Sequence, residues 1–281
     1  MVKRPTPTAH LASRPEAIVA VSAGSPPATR RVAISDVHGH VGALRRELCR
    51  HGLARDDSWT GGDLRLWFLG DYLDRGSQGL AVVDLVRRLE AEAGESGGRV
   101  TPLLGNHELQ FLAALHFGER AVRPGQATSW LSGWRRYGGI DRELHLVSDE
   151  QVHWMTQLPL VDADDGLLLV HSDTEAYLEL GPAVEQINAT GRRILSGRDP
   201  GEWAFLHEVL ARRGDFLRAE SVGRFLQALS AQRVVHGHST LGGAFRLGPT
   251  ARVRPHVYAD GRATAIDGGV FEGGALIVAD V

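Results

Sequence analysis

The chain has 281 residues, 43% hydrophobic and 23% charged, which is enough apolar material for a full core and rules out disorder over its whole length. Its 31 basic and 34 acidic residues leave a net charge of -3, so it lacks the basic excess of nucleic-acid domains, and DNA or RNA is not expected as a partner. The single cysteine, Cys49, can make neither an internal disulfide nor a cysteine zinc cluster, and a reducing, cytoplasmic setting is expected.

Residues 1–30 are rich in Pro, Ala and Ser and read as a disordered tail, with one folded domain over 31–281. The apolar run Ala17–Val21 is shorter than the ~7–15 residues of a secretory core, and no run reaches the ~18 apolar residues of a membrane span, so a soluble protein without membrane contact is expected. From Arg31 short apolar runs alternate with amphipathic segments, the pattern of an α/β domain. Residues 31–35 predict a buried strand and 41–52 a helix stopped at Gly52. A second strand is predicted over 64–70, and a helix over 79–94 with Leu80, Val83, Leu85, Val86 and Leu89 near one face. A third strand, 99–105, leads into the helical HELQFLAALHFG. Two helices, TSWLSGWRRYGG and SDEQVHWMTQL, are predicted between residues 120 and 160, followed by two strands turning at DADDG. Helices over 182–196 and 219–231, a strand over 233–237, a hairpin turning at Asp260-Gly261 and a final strand ALIVADV complete the chain.

The chemistry collects at the strand ends, where open α/β sheets gather their ligands. Ser35-Asp36-Val37-His38-Gly39 follows the first strand, Gly70-Asp71-Tyr72-Leu73-Asp74-Arg75-Gly76 the second and Gly105-Asn106-His107-Glu108 the third; His171 and His236-Gly237-His238 follow two later ones. Singly, Asp, Asn and Gly there are ordinary cap and turn residues. Five successive strand ends bearing Asp, Asn and His instead make a convergent oxygen and imidazole donor set, suited to Mn²⁺, Fe or Zn²⁺, and numerous enough for two metals.

The order DxHG, GDxxDRG, GNHE, a later His and then GH resembles the phosphoprotein (serine/threonine) phosphatase family within the calcineurin-like metallophosphoesterases, over residues 36 to 281. That resemblance implies a four-layer αββα sandwich with the site at one edge of two packed sheets. It also implies two divalent metal ions, manganese first and Fe or Zn as alternatives. Asp36 and His38 would serve the first metal and Asn106, His171 and His238 the second, with Asp71 bridging. A water between two such cations loses a proton near neutral pH and becomes a nucleophile. By the same resemblance His107 is the general acid, oriented by Asp74, and Arg75 clamps the substrate phosphate, which Asn106 also touches. A second phosphate-binding arginine is assigned to Arg213 by spacing, with Arg212 and Arg198 as rivals. WRRYGG (134–139) resembles the family's W..NGG segment, and residues 265–278 its terminal IDTG..GG.L pair, where Asp267 would support the ligands.

Two departures stand out. Where the family commonly has HGG this chain has His171-Ser172-Asp173, and Thr240 replaces the last histidine of the superfamily's GHxH, which favours the phosphatase branch. His236 reads as a strand residue beside the site and Glu108 as a helix-start carboxylate. Trp130, Trp134 and Trp154 read as a packing cluster, with stacking on a nucleobase as the alternative. The expected function is hydrolysis of phosphate monoesters, with a phosphorylated protein as substrate. Symmetrical diadenosine tetraphosphate or another small phosphorylated molecule is the alternative, the latter if 172–215 forms a lid; a non-catalytic metal-binding protein is the reading from another class.

Overall fold

The computed structural model describes residues 1–2 and 29–281, so the tail expected over 1–30 lies almost wholly outside the described residues. The strands are β1 (Arg31–Ile34), β2 (Ala54–Arg55), β3 (Ser58–Trp59), β4 (Arg65–Phe68), β5 (Arg99–Pro102), β6 (Val161–Asp164), β7 (Leu167–Val170), β8 (Arg233–His236), β9 (His256–Tyr258), β10 (Ala263–Ala265) and β11 (Val278–Asp280). The helices are α1 (Val41–Arg50), α2 (Gly79–Glu95), α3 (Asn106–Phe117), α4 (Trp130–Arg136), α5 (Asp141–Leu146), α6 (Asp149–Gln157), α7 (Val184–Ser196), α8 (Pro200–Ala211) and α9 (Ala219–Ala228).

Two sheets carry the fold. One has the order β11-β1-β4-β5, with β1, β4 and β5 parallel and β11 antiparallel on the edge; the other runs β6-β7-β8-β10-β9, with β7, β8 and β10 parallel. Side chains alternate across a strand, so each central strand must bury both faces. Ala33, Trp67, Leu167, Leu169, Val235, Ala265 and Ala279 join in one apolar layer between the sheets. Their neighbours Val32, Ile34, Leu66, Phe68, Leu168 and Val234 belong instead to the larger core that includes residues of α1, α2 and α3 on one side and α7 and α9 on the other. The result is the expected αββα sandwich. Trp67 Nε1 donates to Asp162 Oδ2 (2.7 Å), and Arg99 pairs with Asp162 (3.1 Å), fastening one sheet to the other.

Differences from the sequence reading are local. Strands stop two or three residues before the predicted ends at Gly70 and Gly105, because those residues turn into the loops of the site. In α2 Val82 is buried and Leu80 only half-buried. Helix α8 was not predicted, although Asp199 caps it by accepting from Gly201 N (2.8 Å) and Pro200 opens it. The three tryptophans are not one cluster: Trp130 stacks on Phe117, Trp134 meets Phe111, and Trp154 lies against Tyr72 and donates to Glu90. Within 172–215, α7 and α8 bury Ile187, Ile194, Trp203 and Leu206 in the core, and the chain leaves α8 to bring Arg213 beside His238. No helix among the described residues is long and apolar enough to cross a membrane.

Candidate dinuclear metal site

The loops after β1 and β4 zip together through their backbones: Asp36 N donates to Gly70 O (3.2 Å), His38 N to Asp71 O (2.8 Å) and Gly76 N to His38 O (3.0 Å). The second sheet repeats the device, with Gly237 N donating to His171 O (2.9 Å). His238 N then donates to Asp36 Oδ2 (2.9 Å) and His171 Nδ1 to Leu69 O (2.8 Å), so the two sheets meet at one buried cluster. A Cβ at Gly237 would run into the side chains of Ser35 and Asp36, which is why glycine stands there. The loops of the cluster run through left-handed backbone: Asp36, His38, Asp71, Asp74, Arg75 and His238 all have φ between 45° and 66°. Such values are uncommon outside glycine and each costs about 1–2 kcal/mol.

Glu108 is the organiser the sequence reading undervalued. Fully buried at the start of α3, it accepts from the backbone N–H groups of Asp71 and Tyr72 (both 2.8 Å), Leu73 (3.1 Å) and Gly105 (3.1 Å). It therefore fixes the whole turn that carries Asp71, while burial pushes its carboxyl up to about 7 against those hydrogen bonds.

The donor atoms point at one another. His38 Nδ1 donates to Leu73 O (3.0 Å), which turns its Nε2 lone pair into the cluster, 3.5 Å from Asp71 Oδ2 and 3.9 Å from Asp36 Oδ1. His171, with Nδ1 likewise committed, sets Nε2 3.5 Å from Asp71 Oδ1 and 2.9 Å from Asn106 Oδ1. Asp71 thus reaches a different histidine with each oxygen. His171 Nε2 and Asn106 Oδ1 are two lone-pair atoms face to face, an arrangement that a shared cation satisfies. One group, Asp71, His171 and His238, has ligand atoms within 4.8 Å of each other, and so has His38, Asp71 and His107. Burial, reinforced by neighbouring imidazoles and by Arg75 or Arg213, pushes His38, His107 and His238 well below the ordinary imidazole range, and burial also lowers His171, which favours the neutral, lone-pair form of each ring. The carboxyl of Asp71 is pushed up by burial first, then by Asp36 and Glu108, against the lowering effect of Arg75. The residues present fit a pair of divalent cations.

Around this cluster stand the groups expected to handle substrate. Asp74 accepts from His107 Nδ1 (2.7 Å) and, through its other oxygen, from Trp134 Nε1 (2.8 Å). Arg75 donates to His38 Nε2 (2.9 Å) and His107 Nε2 (3.1 Å), and its guanidinium lies 3.8 Å over the ring of Phe271. Its backbone N–H donates to Gly138 O (2.8 Å), where φ is 100°. Arg213 Nη2 lies 2.9 Å from His238 Nε2, whereas Arg212 pairs with Glu179 (2.9 Å) and Arg198 sits near His116. His236 faces Tyr258 (2.6 Å), and Asp267 accepts from Gly269 N (2.9 Å) with its second oxygen buried and unpartnered. The roles of Trp134 at Asp74 and of Phe271 under Arg75 are additions to the sequence reading, which had Trp134 as a packing residue, with nucleobase stacking as the alternative, and gave Phe271 no role. So is Asp173, the residue in place of a glycine. Fully buried, it accepts from Gly214 N (2.8 Å) and Ser239 Oγ (2.6 Å), tying the loop of Arg213 to the loop of His238.

Comparison with known proteins agrees with this geometry. A symmetrical bis(5'-nucleosyl)-tetraphosphatase of Paraburkholderia phymatum is 30% identical over 153 residues, 50% of this chain and 47% of that protein. Shewanella-like protein phosphatase 2 of Arabidopsis thaliana is 38% identical over 81 residues, 28% of this chain and 21% of the relative. The chain spans about half the length of the first of these and less of the second. Among solved structures, the cold-active protein-tyrosine phosphatase of a psychrophilic Shewanella species superposes with a TM-score of 0.67 at 19% identity, over 88% of this chain and 73% of that one, a likeness of fold. The description of the calcineurin-like phosphoesterases matches residues 29–240, well over half of the sequence, and with the sandwich and the loop cluster already seen, the chain belongs to that family.

Proposed function

We propose that the protein is a metal-dependent phosphatase that hydrolyses phosphate monoesters, with a phosphorylated protein as its substrate. The observation that carries this reading is Asp71, which presents one oxygen to His38 and the other to His171 at equal distances of 3.5 Å. Asp36 and His38 would hold one cation and Asn106, His171 and His238 the other, with Asp71 shared; the oxygen and imidazole set suits manganese, or Fe or Zn. When bound, such a pair supplies Lewis acidity toward phosphoryl oxygens and lowers the pKa of water.

The chain's own residues do the rest. The Arg75 fork matches two phosphoryl oxygens, held in place by Phe271 beneath it, and Arg213 approaches from the side of His238. Protonated His107 delivers a proton from Nε2 to the leaving oxygen while Asp74 keeps its Nδ1–H oriented. Arg213→Ala should weaken inhibition by inorganic phosphate by ~10–100-fold, the worth of a lost charge-assisted hydrogen bond, and Arg198→Ala should leave it near wild type. The reverse order would move the clamp to Arg198. Asp173→Ala should lower turnover by ~10–100-fold, as loss of an outer support of a ligand does, and should weaken phosphate inhibition in parallel. An unchanged phosphate constant would separate Asp173 from the Arg213 loop.

A second reading, hydrolysis of symmetrical dinucleoside tetraphosphates, is favoured by the activity for which the Paraburkholderia relative is named. The deciding experiment strips the protein of metal, restores Mn²⁺, and compares p-nitrophenyl phosphate, a phosphopeptide and diadenosine tetraphosphate. Manganese-dependent turnover supports the phosphatase, and the ranking of the last two chooses the substrate. Metal binding without turnover of any of them would sink the reading.

A further inference from the structure

Helix α2 starts without a cap of its own. Gln78, the residue before it, makes no capping hydrogen bond, and its first turn holds no acidic residue, although the first N–H groups of a helix need partners from outside it. The partner comes from α5. Glu143, 2% exposed, accepts through Oε1 from Gly79 N (2.7 Å) and Leu80 N (3.2 Å). Its Oε2 is packed so closely against Gly79 that a Cβ there would come within 2.7 Å of it. One residue earlier, Arg142 donates to Ser77 O (3.2 Å). With Val82, Val83, Leu85, Val86 and Leu89 buried, a helix of 17 residues is secured by its packing. What Glu143 and Arg142 fix is the end of the loop that leads into it.

That loop carries Arg75, and the same stretch of chain grips its other end. Trp134 Nε1 donates to Asp74 Oδ1 (2.8 Å) and Arg75 N to Gly138 O (2.8 Å). Residues 134–143 thus hold residues 74–80 through five hydrogen bonds, two at the start of the loop and three at its end. Asp74 and Arg75 both have φ of 66°, a left-handed conformation that persists at residues other than glycine when the surroundings over-determine it.

We infer that Glu143, seconded by Arg142, is a positioning residue for the Arg75 guanidinium: by pinning the end of the loop it sets where the phosphate clamp stands over the metal cluster, and so the affinity for the phosphoryl group. The inference rests on the phosphatase reading above. Neither residue touches substrate, so both act through Arg75. A clamp that holds the phosphoryl oxygens before and during the reaction contributes binding common to both states, and its displacement raises KM more than it lowers kcat.

The test uses the manganese-loaded full chain. Glu143→Ala should raise the dissociation constant of inorganic phosphate, read by calorimetry, and KM for p-nitrophenyl phosphate by about tenfold each, with kcat within about threefold of the parent. Glu143→Gln keeps an oxygen for Gly79 N and Leu80 N and should restore both constants to within about twofold. In an Arg75→Ala background Glu143→Ala should add no further loss of phosphate affinity, since its effect runs through Arg75. Hydrogen exchange supplies a readout free of turnover: residues 75–80 should exchange about tenfold faster in Glu143→Ala, with 36–39 and 105–108 as in the parent. Arg142 is exposed, so Arg142→Ala keeps the test open if Glu143→Ala does not fold, and it should show the same split at about threefold. Equal losses with and without Arg75, a fall in kcat at unchanged KM, no rescue by Glu143→Gln, or parental exchange of 75–80 in the variants would each overturn the inference and leave the phosphatase intact. A parent that neither binds phosphate nor turns over p-nitrophenyl phosphate sinks the phosphatase reading instead, and the exchange of 75–80 then decides alone whether Glu143 holds the loop of Arg75.

Discussion

Asp71→Asn is expected to lose bound metal and turnover together while melting no lower than the parent when both are metal-free. The asparagine keeps the shape of Asp71 but replaces one oxygen with an NH2, which has no lone pair for a cation and can donate to the Nε2 lone pair of His38 or His171, so a donor atom is lost and another is tied up. It also removes a negative charge that would balance the proposed pair of cations. Turnover should fall by more than the ~10²–10⁴ of a lost general acid, because the centre itself is dismantled. Stability moves the other way. The Asp71 carboxyl is pushed up by burial, Asp36 and Glu108, so its ionisation opposes folding: the metal-free protein loses that part of its stability as pH rises from the unfolded carboxylate range toward the raised value. The neutral asparagine escapes that loss. Metal content by mass spectrometry, p-nitrophenyl phosphate turnover and melting of the stripped proteins at two pH values check all three parts, and full turnover would rule out the bridging role.

His107→Asn should retain both metals and slow hydrolysis by ~10²–10⁴, with a smaller loss for substrates whose leaving groups need no proton. The ring sits between two fixed partners, Asp74 at Nδ1 (2.7 Å) and Arg75 at Nε2 (3.1 Å), so its removal deletes a proton carrier without touching the Asp71 contacts to His38 and His171. Burial and Arg75 lower its pKa, which makes the protonated ring a stronger acid. The limb of the pH–rate profile that reports its protonation should vanish in the variant. A retained rate on an alkyl phosphate, with metals bound, would exclude His107 as the acid.

Much of this was legible because the chemistry sits where strands end. The predicted strands at 31–35, 64–70 and 99–105 placed Asp36, Asp71 and Asn106 at adjacent strand ends, and the parallel register of β1, β4 and β5 brings them together. What the sequence could not supply was pairing between distant segments: that β11 borders β1, or that His238 N reaches Asp36 across the two sheets. Helix α8 was missed although Asp199-Pro200 is a clear start signal, because its apolar residues surround the helix instead of following one stripe. Asp173 and Glu108 were recognised as residues but not as supports, since the partners of Glu108 are backbone N–H groups, which carry no sequence signature, and those of Asp173, Gly214 N and Ser239 Oγ, lie 41 and 66 residues away. The rivalry among Arg213, Arg212 and Arg198 turns on orientation alone, and only Arg213 faces a residue of the cluster.

The left-handed residues of the site have a consequence for how this protein could be altered. Glycine would relax the backbone at Asp36, His38, Asp71, Asp74, Arg75 and His238, so the sequence most at ease in these loops is not the one that holds cations or phosphate. A selection for heat resistance alone, with no demand for turnover, should therefore enrich glycine at these six positions. The same selection run with a phosphate-release screen should hold them fixed and find its gains elsewhere.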